Sequence, residues 1–258
     1  MARIEILTAG HCTNLEVMAH RASPWRPAAF AAAFALIRPQ GGGALLFDCG
    51  YSRHVMAAMA GFPFQLYRRL LPITLGRDAA AQMAERKETP TTIVISHFHP
   101  DHIGGLPDFP QARLVCSRQA WEWVRGRRGL AGLRRGFLAD LIPADFTDRV
   151  TFAEDLPQDG QGHFRLEAGD ETLSLVPLPG HVPGQLGLLA RRDGGPRVLL
   201  AADALWRRTS LEDGVLPHPL AMLVHHDRTA YLATLDRLRA WKQAEPDLEI
   251  IPTHDAGA

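Results

Sequence analysis

Cysteine is scarce in this chain. Cys12, Cys49 and Cys116 are the 3 in 258 residues, an odd number at wide spacing with no Cys-x-x-Cys pair. That excludes a disulfide framework and points to a reducing, cytoplasmic setting, with each cysteine a small buried hydrophobe. An excess of either charge is also missing. The 28 basic and 28 acidic side chains cancel, so overall charge attracts neither nucleic acid nor an anionic membrane. No apolar run is long enough to span a bilayer, which excludes membrane insertion by a helix. The longest such run, 27–37, is Ala-rich and is followed by Gly41-Gly42-Gly43. It reads as one arm of a hairpin whose other arm is 44–47. The N-terminus enters the strand Arg3-Ile4-Glu5-Ile6-Leu7 without the charged start and apolar stretch of an export signal. Internal repeats, low-complexity tails and interdomain linkers are absent as well. What remains is a globular chain, 46% hydrophobic, able to bury a large core.

Periodicity predicts strands near 3–8, 30–37, 44–48, 92–96, 112–116, 149–153, 163–168, 172–177, 186–191, 197–202 and 248–252. Helices are expected near 53–60, 77–87, 117–127, 131–142 and 228–243. The last carries Tyr231, Leu232, Leu235, Leu238 and Trp241 as a core-facing stripe, with Asp227 as its N-cap.

The chemistry concentrates in Ser96-His97-Phe98-His99-Pro100-Asp101-His102. Upstream, Thr92-Ile93-Val94-Ile95 is a buried strand, and downstream Gly104-Gly105 lets the following turn pack close to the sheet. The cluster thus sits on a loop leaving a strand, where a rigid scaffold holds side chains over a cleft. Imidazole nitrogens with carboxylate oxygens suit zinc, with iron, manganese or cobalt behind it. Further ligand-type residues end later apolar strands in order: His181 in Pro179-Gly180-His181, Asp203 after Val198-Leu199-Leu200-Ala201-Ala202, and His254 after Ile250-Ile251-Pro252-Thr253.

With this ordered set, and with Leu46-Phe47-Asp48-Cys49-Gly50 as an early strand and turn, nearly the whole chain resembles the metallo-β-lactamase-fold hydrolases. The resemblance implies an α+β fold, a four-layer αββα sandwich, with a dinuclear metal site at one edge. By that analogy His97, His99 and His181 hold one cation, Asp101, His102 and His254 the other, and Asp203 bridges both. The cofactors implied are two divalent ions, zinc foremost and iron or manganese as alternatives. A hydroxide shared by such a pair would attack the carbonyl of a small ester, lactone or thioester, with Asp203 holding the pair and Asp101 serving as ligand and proton carrier. Because ligands run from 97 to 254, residues 1–258 read as one domain.

Departures from the pattern narrow the subclass. No cysteine occupies the bridging position of true class B β-lactamases, and His99 stands where flavodiiron relatives carry glutamate. N-acyl homoserine lactonases often place a tyrosine three residues after the bridging aspartate, where this chain has Trp206. No helical domain of the glyoxalase II kind follows His254, and no RNA-holding arm of the ribonuclease Z kind is evident. The alternatives that stay open are a mononuclear iron oxygenase of the persulfide-dioxygenase kind and a phosphodiesterase on the same fold.

Two segments extend the minimal scaffold as candidate caps over the cleft. Residues 61–75 are rich in aromatic and aliphatic side chains, and 118–147 carry Arg125, Arg127, Arg128, Arg134 and Arg135 among apolar residues. Trp206, Phe62 and Phe64 are the expected substrate wall, favouring a small molecule with an acyl or aromatic group, while the arginines suit a carboxylate or phosphate. Asp48 and Asp255 are candidates to take the outer N–H of ligand histidines. His225 and His226 are candidates for a supporting or substrate-facing role. His11, His20, His54, His163 and His218 read as structural.

Overall fold

Short aliphatic runs set the architecture. Among the described residues, 2–255 of a computed structural model, they form twelve strands in two sheets. In chain order these are β1 (Arg3–Leu15), β2 (Pro27–Arg38), β3 (Leu45–Phe47), β4 (Ile73–Leu75), β5 (Thr92–Val94), β6 (Arg113–Cys116), β7 (Val150–Phe152), β8 (Phe164–Ala168), β9 (Glu171–Pro177), β10 (Leu186–Arg191), β11 (Arg197–Ala202) and β12 (Glu249–Pro252). The first sheet runs β4-β1-β2-β3-β5-β6-β7 and the second β12-β11-β10-β9-β8. The expected hairpin between β2 and β3 is there, antiparallel, pairing Ile37 with Leu45. β1 and β2 run further than their patterns suggest, because a register shift between Thr8 and His11 lets pairing continue to Leu15 opposite Pro27. β4 is additional, a three-residue edge strand against β1.

Strands buried on both faces explain why the sequence shows continuous apolar runs rather than clean alternation. In β3, Leu45 and Phe47 face the second sheet while Leu46 faces the outer helices. Ile93 and Val94 divide the same way in β5, and Leu114 and Val115 in β6. In β11, Val198 and Leu200 face the first sheet, and Leu199 and Ala201 pack with Leu235 and Leu238 of the helix Arg228–Ala244. Three cores follow: helix against sheet, sheet against sheet, and sheet against helix. Asp227 caps the last helix by accepting from the Ala230 N–H at 2.9 Å. Among the described residues, no helix is long and apolar enough to cross a membrane.

One expected helix is broken. The span 131–142 divides into a short helix, Gly129–Leu133, and a 3-10 turn, Ala139–Leu141. Gly136, at φ 59°, ends the first piece and returns Phe137 to the core. Its Cα lies against the His99 ring, 3.0 Å from where a Cβ would stand. The break therefore delivers the 134–136 backbone to the ligand cluster.

Strand direction gathers the site. β3 and β5 are parallel, as are β11 and β12, and β10 runs antiparallel to both β9 and β11. The C-terminal ends of β5, β9, β11 and β12, each followed by a ligand-type residue, thus meet at one edge of the sandwich.

Candidate metal centre

Seven side chains converge at that edge, all of those the sequence nominated as ligands. Ligand atoms of His97, His99, His181 and Asp203 lie within 4.8 Å of one another, as do those of Asp101, His102 and Asp203. Asp203 belongs to both groups. Its Oδ2 is 3.4 Å from His181 Nε2 and 3.2 Å from His254 Nε2, and its Oδ1 is 3.4 Å from His102 Nε2. His254 joins through Asp203, with Asp101 Oδ2 a little farther, at 3.8 Å. The backbone aims Asp203: Ala202 adopts φ 48°, where β11 shifts register against β12. A non-glycine residue there costs on the order of 1–2 kcal/mol, which the packing on both sides must offset.

The outer nitrogens fix how each histidine faces inward. His99 Nε2–H donates to the Arg135 carbonyl at 3.1 Å, and His254 Nδ1–H to the Ala31 carbonyl at 2.9 Å. His102 Nδ1–H donates to Asp48 at 2.7 Å. Asp48 also accepts from Ser96 N–H and Ser96 Oγ–H, both at 2.8 Å, so the serine oxygen is free to accept from His97 Nδ1–H at 3.0 Å. With the outer nitrogens as donors, the inner ones present lone pairs. Yet His97 Nε2 and His99 Nδ1 are 3.0 Å apart, and His181 Nε2 and His99 Nδ1 3.1 Å. Lone pairs converging on each other and on two carboxylates call for positive charge between them, which a bound cation supplies. Two more observations agree: His102 Nε2 and Asp203 Oδ1 are buried with no hydrogen-bond partner among the described residues. The donor set, imidazole and carboxylate, fits two divalent ions of the zinc type.

Electrostatics divide the cluster in two. Burial, with His102 and His99 adding to it, pushes the His97 pKa well below the ordinary value, and burial does the same for His181. Those rings stay neutral and ready to ligate. At His102 and His254 burial also opposes charge, but the surrounding carboxylates outweigh it and both pKa values rise. Asp203 is held well below the carboxylate range because His254 and His102 overcome its burial.

Some functional contacts lie beyond the residue patterns. His225 Nδ1 is 3.0 Å from His181 Nδ1, and its ring stacks on Tyr231 with centroids 4.0 Å apart. Burial lowers the His225 pKa to about 4, so the neutral ring accepts the His181 N–H. The signal available in sequence was only adjacency to the Asp227 cap; the contact spans 44 residues. Replacing His225 with Phe keeps the stack but removes the acceptor. His225→Phe is expected to weaken metal binding about 10- to 100-fold in chelator competition. Unchanged affinity would show the contact to be incidental. Asp255, by contrast, supports no ligand: it accepts from Arg207 Nη1 at 3.0 Å and from the Arg208 N–H at 2.8 Å. His226 donates its backbone N–H to the His181 carbonyl at 2.9 Å, and its side chain is exposed.

The cluster floors a cavity of about 650 Å³. Trp206 lines it, and its indole N–H is buried with no acceptor among the described residues. The wall expected from Phe62 and Phe64 is instead made by Tyr67 and Leu71. Phe62 is 70% exposed, and Phe64 packs toward the core. Across the mouth stand Leu220, Leu223 and Val224, while Trp123, Leu133, Arg134 and Arg135 form a further side.

Comparison with known proteins points to one family. Residues 30–254 match the sequence model of the Metallo-beta-lactamase superfamily. The N-acyl homoserine lactonase AttM of Rhizobium radiobacter is 29% identical over 166 residues, 64% of this chain and 58% of that protein. A probable metallo-hydrolase of Mycobacterium tuberculosis is 32% identical over 212 residues, 74% of this chain and 64% of that protein. The chain thus spans less than two thirds of the length of either relative. Among solved structures, an N-acyl homoserine lactone hydrolase with the product N-hexanoyl-L-homoserine at its catalytic metal centre superposes with a TM-score of 0.75 at 19% identity, covering 98% of this chain and 93% of that one. AidC, a dizinc quorum-quenching lactonase, gives 0.65 at 16% identity, covering 99% and 88%. At such identities these structures speak for the fold, the four-layer αββα sandwich. Family match, fold and the paired ligand groups coincide over nearly the whole chain, which belongs to the metallo-β-lactamase superfamily.

Proposed function

We propose that this chain is a dinuclear metal-dependent hydrolase of a small carboxylic ester, lactone or thioester bearing an apolar group. His97, His99 and His181 would hold one cation, Asp101, His102 and His254 the other, and Asp203 both. The observation that carries the reading is the convergence of inward lone pairs and two carboxylates on the floor of a cavity with an apolar mouth. When bound, two divalent ions supply Lewis acidity and water of lowered pKa at neutral pH.

The protein's own groups do the rest. Asp48, Ser96, Arg135 and Ala31 hold the ligand rings in orientation through their outer nitrogens. Asp101, on the cavity wall, is the carboxylate assigned to take up and return a proton. Trp206 supplies an N–H donor where lactonases often have a tyrosine hydroxyl. Segments 61–75 and 118–147 act as caps, contributing Tyr67 and Leu71 on one side and Trp123 and Leu133 on the other, and exclude water from the reacting carbonyl. The whole works as one domain on a small-molecule substrate. The lactonase names among the relatives favour a lactone within the ester class.

Element analysis on protein purified without added metal is expected to find two divalent ions per chain, zinc foremost. One iron per chain would favour the oxygenase reading instead. In an acyl ester or lactone series, kcat/KM is expected to rise about fourfold per methylene until the cavity is full, from roughly 0.8 kcal/mol per buried methylene. Trp206→Ala should flatten that slope more than it lowers turnover of the shortest substrate. A flat profile in the parent protein would defeat the apolar wall.

A further inference from the structure

We propose that the substrate also carries an anionic group, a carboxylate or a phosphate, read by Arg134 and Arg135 while its carbonyl lies over the metal centre. This rests on the hydrolase reading and narrows its substrate class.

The arginines of 125–135 are not equivalent. Arg125 pairs with Glu122 at 2.6 Å and Arg128 with Asp140 at 3.4 Å, and neither lines the cavity. Arg134 and Arg135 do line it, and neither has a carboxylate partner among the described residues. The Arg135 guanidinium lies over the Trp123 ring, 5.2 Å from its centroid, and its Nε is buried with no acceptor. Trp123 packs edge-on against His226 at 5.5 Å, and both residues line the same cavity. The carboxylates in the wall, Asp101 and Asp203, both belong to the metal cluster, so neither is free to balance the arginines.

The physical consequence is a cavity with uncompensated positive charge. A buried guanidinium N–H without an acceptor forfeits the free energy a charge-assisted hydrogen bond would return. The planar fork of Arg135, with its Cζ placed over the Trp123 indole, offers two parallel bonds to a carboxylate or phosphate. Arg134 is exposed, so its contribution is attraction at the mouth, which salt screens. The apolar residues at the mouth accept a chain linking the anion to the reacting carbonyl. A hydrophobic ester with a charged terminus fits both walls; a purely neutral one leaves the arginines unused.

The test uses metal-loaded protein and p-nitrophenyl monoesters of succinic, glutaric and adipic acids. Each is compared with its neutral counterpart, in which the free carboxyl is methylated, and with an analogue ending in phosphonate. The expected result is a preference for an anionic ester of about tenfold or more in kcat/KM, carried mainly by KM and shrinking as salt is added. Carboxylate against phosphonate identifies which anion the site takes. The anionic-to-neutral ratio is expected to fall in both Arg134→Gln and Arg135→Gln, with Arg135→Lys restoring part of it. Arg165→Gln, on the far sheet, should leave the ratio as it is. A ratio near one, or one that neither glutamine variant lowers, overturns the inference while leaving the hydrolase reading intact. If no ester in the panel is turned over, the open-chain ester branch of the hydrolase reading fails and its lactone and thioester branches stand. Calorimetric binding of adipate and of a phosphonate then decides the anion site: weaker binding in Arg134→Gln and Arg135→Gln supports it, and equal binding overturns it.

Discussion

Asp203→Ala is expected to abolish turnover and leave a folded protein. Asp203 is 2% exposed and touches both ligand groups, through Oδ2 to His181 and His254 and through Oδ1 to His102. On the proposed dinuclear reading its removal would take away the anion shared between two cations, so a bound pair would lose both a ligand and its electrostatic screen. Metal content should fall below two per chain. Since Lewis acidity contributes several kcal/mol, kcat/KM should fall on the order of 10³-fold or more. The fold should persist because the three apolar layers are built from other residues. Element analysis, kinetics and far-UV circular dichroism read the three expectations separately. Near-normal hydrolysis with two metals still bound would sink the dinuclear assignment.

The centre of this site was legible because its residues sit at strand ends. An apolar run marks each strand, and the ligand-type residue that follows must leave the sheet at the same edge when the strands are parallel. That logic placed the His97–His102 loop, His181, Asp203 and His254. It also reached Asp48, which follows β3 and lies across from Ser96. The αββα layering was legible in the family resemblance and in the continuous runs of β3, β5 and β11, since strands buried on both faces cannot alternate.

What stayed hidden depends on backbone geometry or on distant pairing. Nothing in the sequence around Ile73–Leu75 marks β4, whose only partner among the described residues is the extended end of β1. The 131–142 pattern reads as a helix, and the left-handed turn at Gly136 that breaks it is also what brings the Arg135 carbonyl to His99. Side-chain patterns cannot show a carbonyl that serves as an acceptor. In the first cap, Tyr67 and Leu71 are four residues apart and share a face, whereas Phe62 precedes the helix Phe64–Leu70 and points its bulk to solvent. Aromatic content located the segment but not its phase. Asp255 neighbours His254 in sequence, yet the 3-10 turn Thr253–Asp255 directs it to Arg207 and Arg208.

Gly180→Ala is expected to be among the most damaging single-methyl changes in the chain. Gly180 adopts φ 131°, a conformation that side-chain-bearing residues rarely take, and a Cβ there would stand 2.3 Å from both Cα and N of Tyr231. Those are backbone atoms in the first turn of the helix Arg228–Ala244, so no rotamer change relieves the clash. The same neighbourhood is tied by two further bonds: the Asp227 N–H donates to the Gly180 carbonyl at 3.0 Å and the His226 N–H to the His181 carbonyl at 2.9 Å. Pushing the helix away therefore displaces His181 and His225 together. Gly194 provides the control, since its φ is 63° and a Cβ there would meet no atom within 4 Å beyond its chain neighbours. Gly194→Ala should cost only backbone strain, about 1 kcal/mol, or roughly 2–4 °C in Tm for a chain of this size. Gly180→Ala adds a backbone clash and should cost about 3 kcal/mol or more, with a Tm drop of roughly 10 °C and weakened metal binding. Thermal melts of metal-loaded protein, run beside chelator competition, measure both effects. Equal melting shifts in the two variants would mean that the helix yields without cost, and that the seat of His181 is not built on this contact.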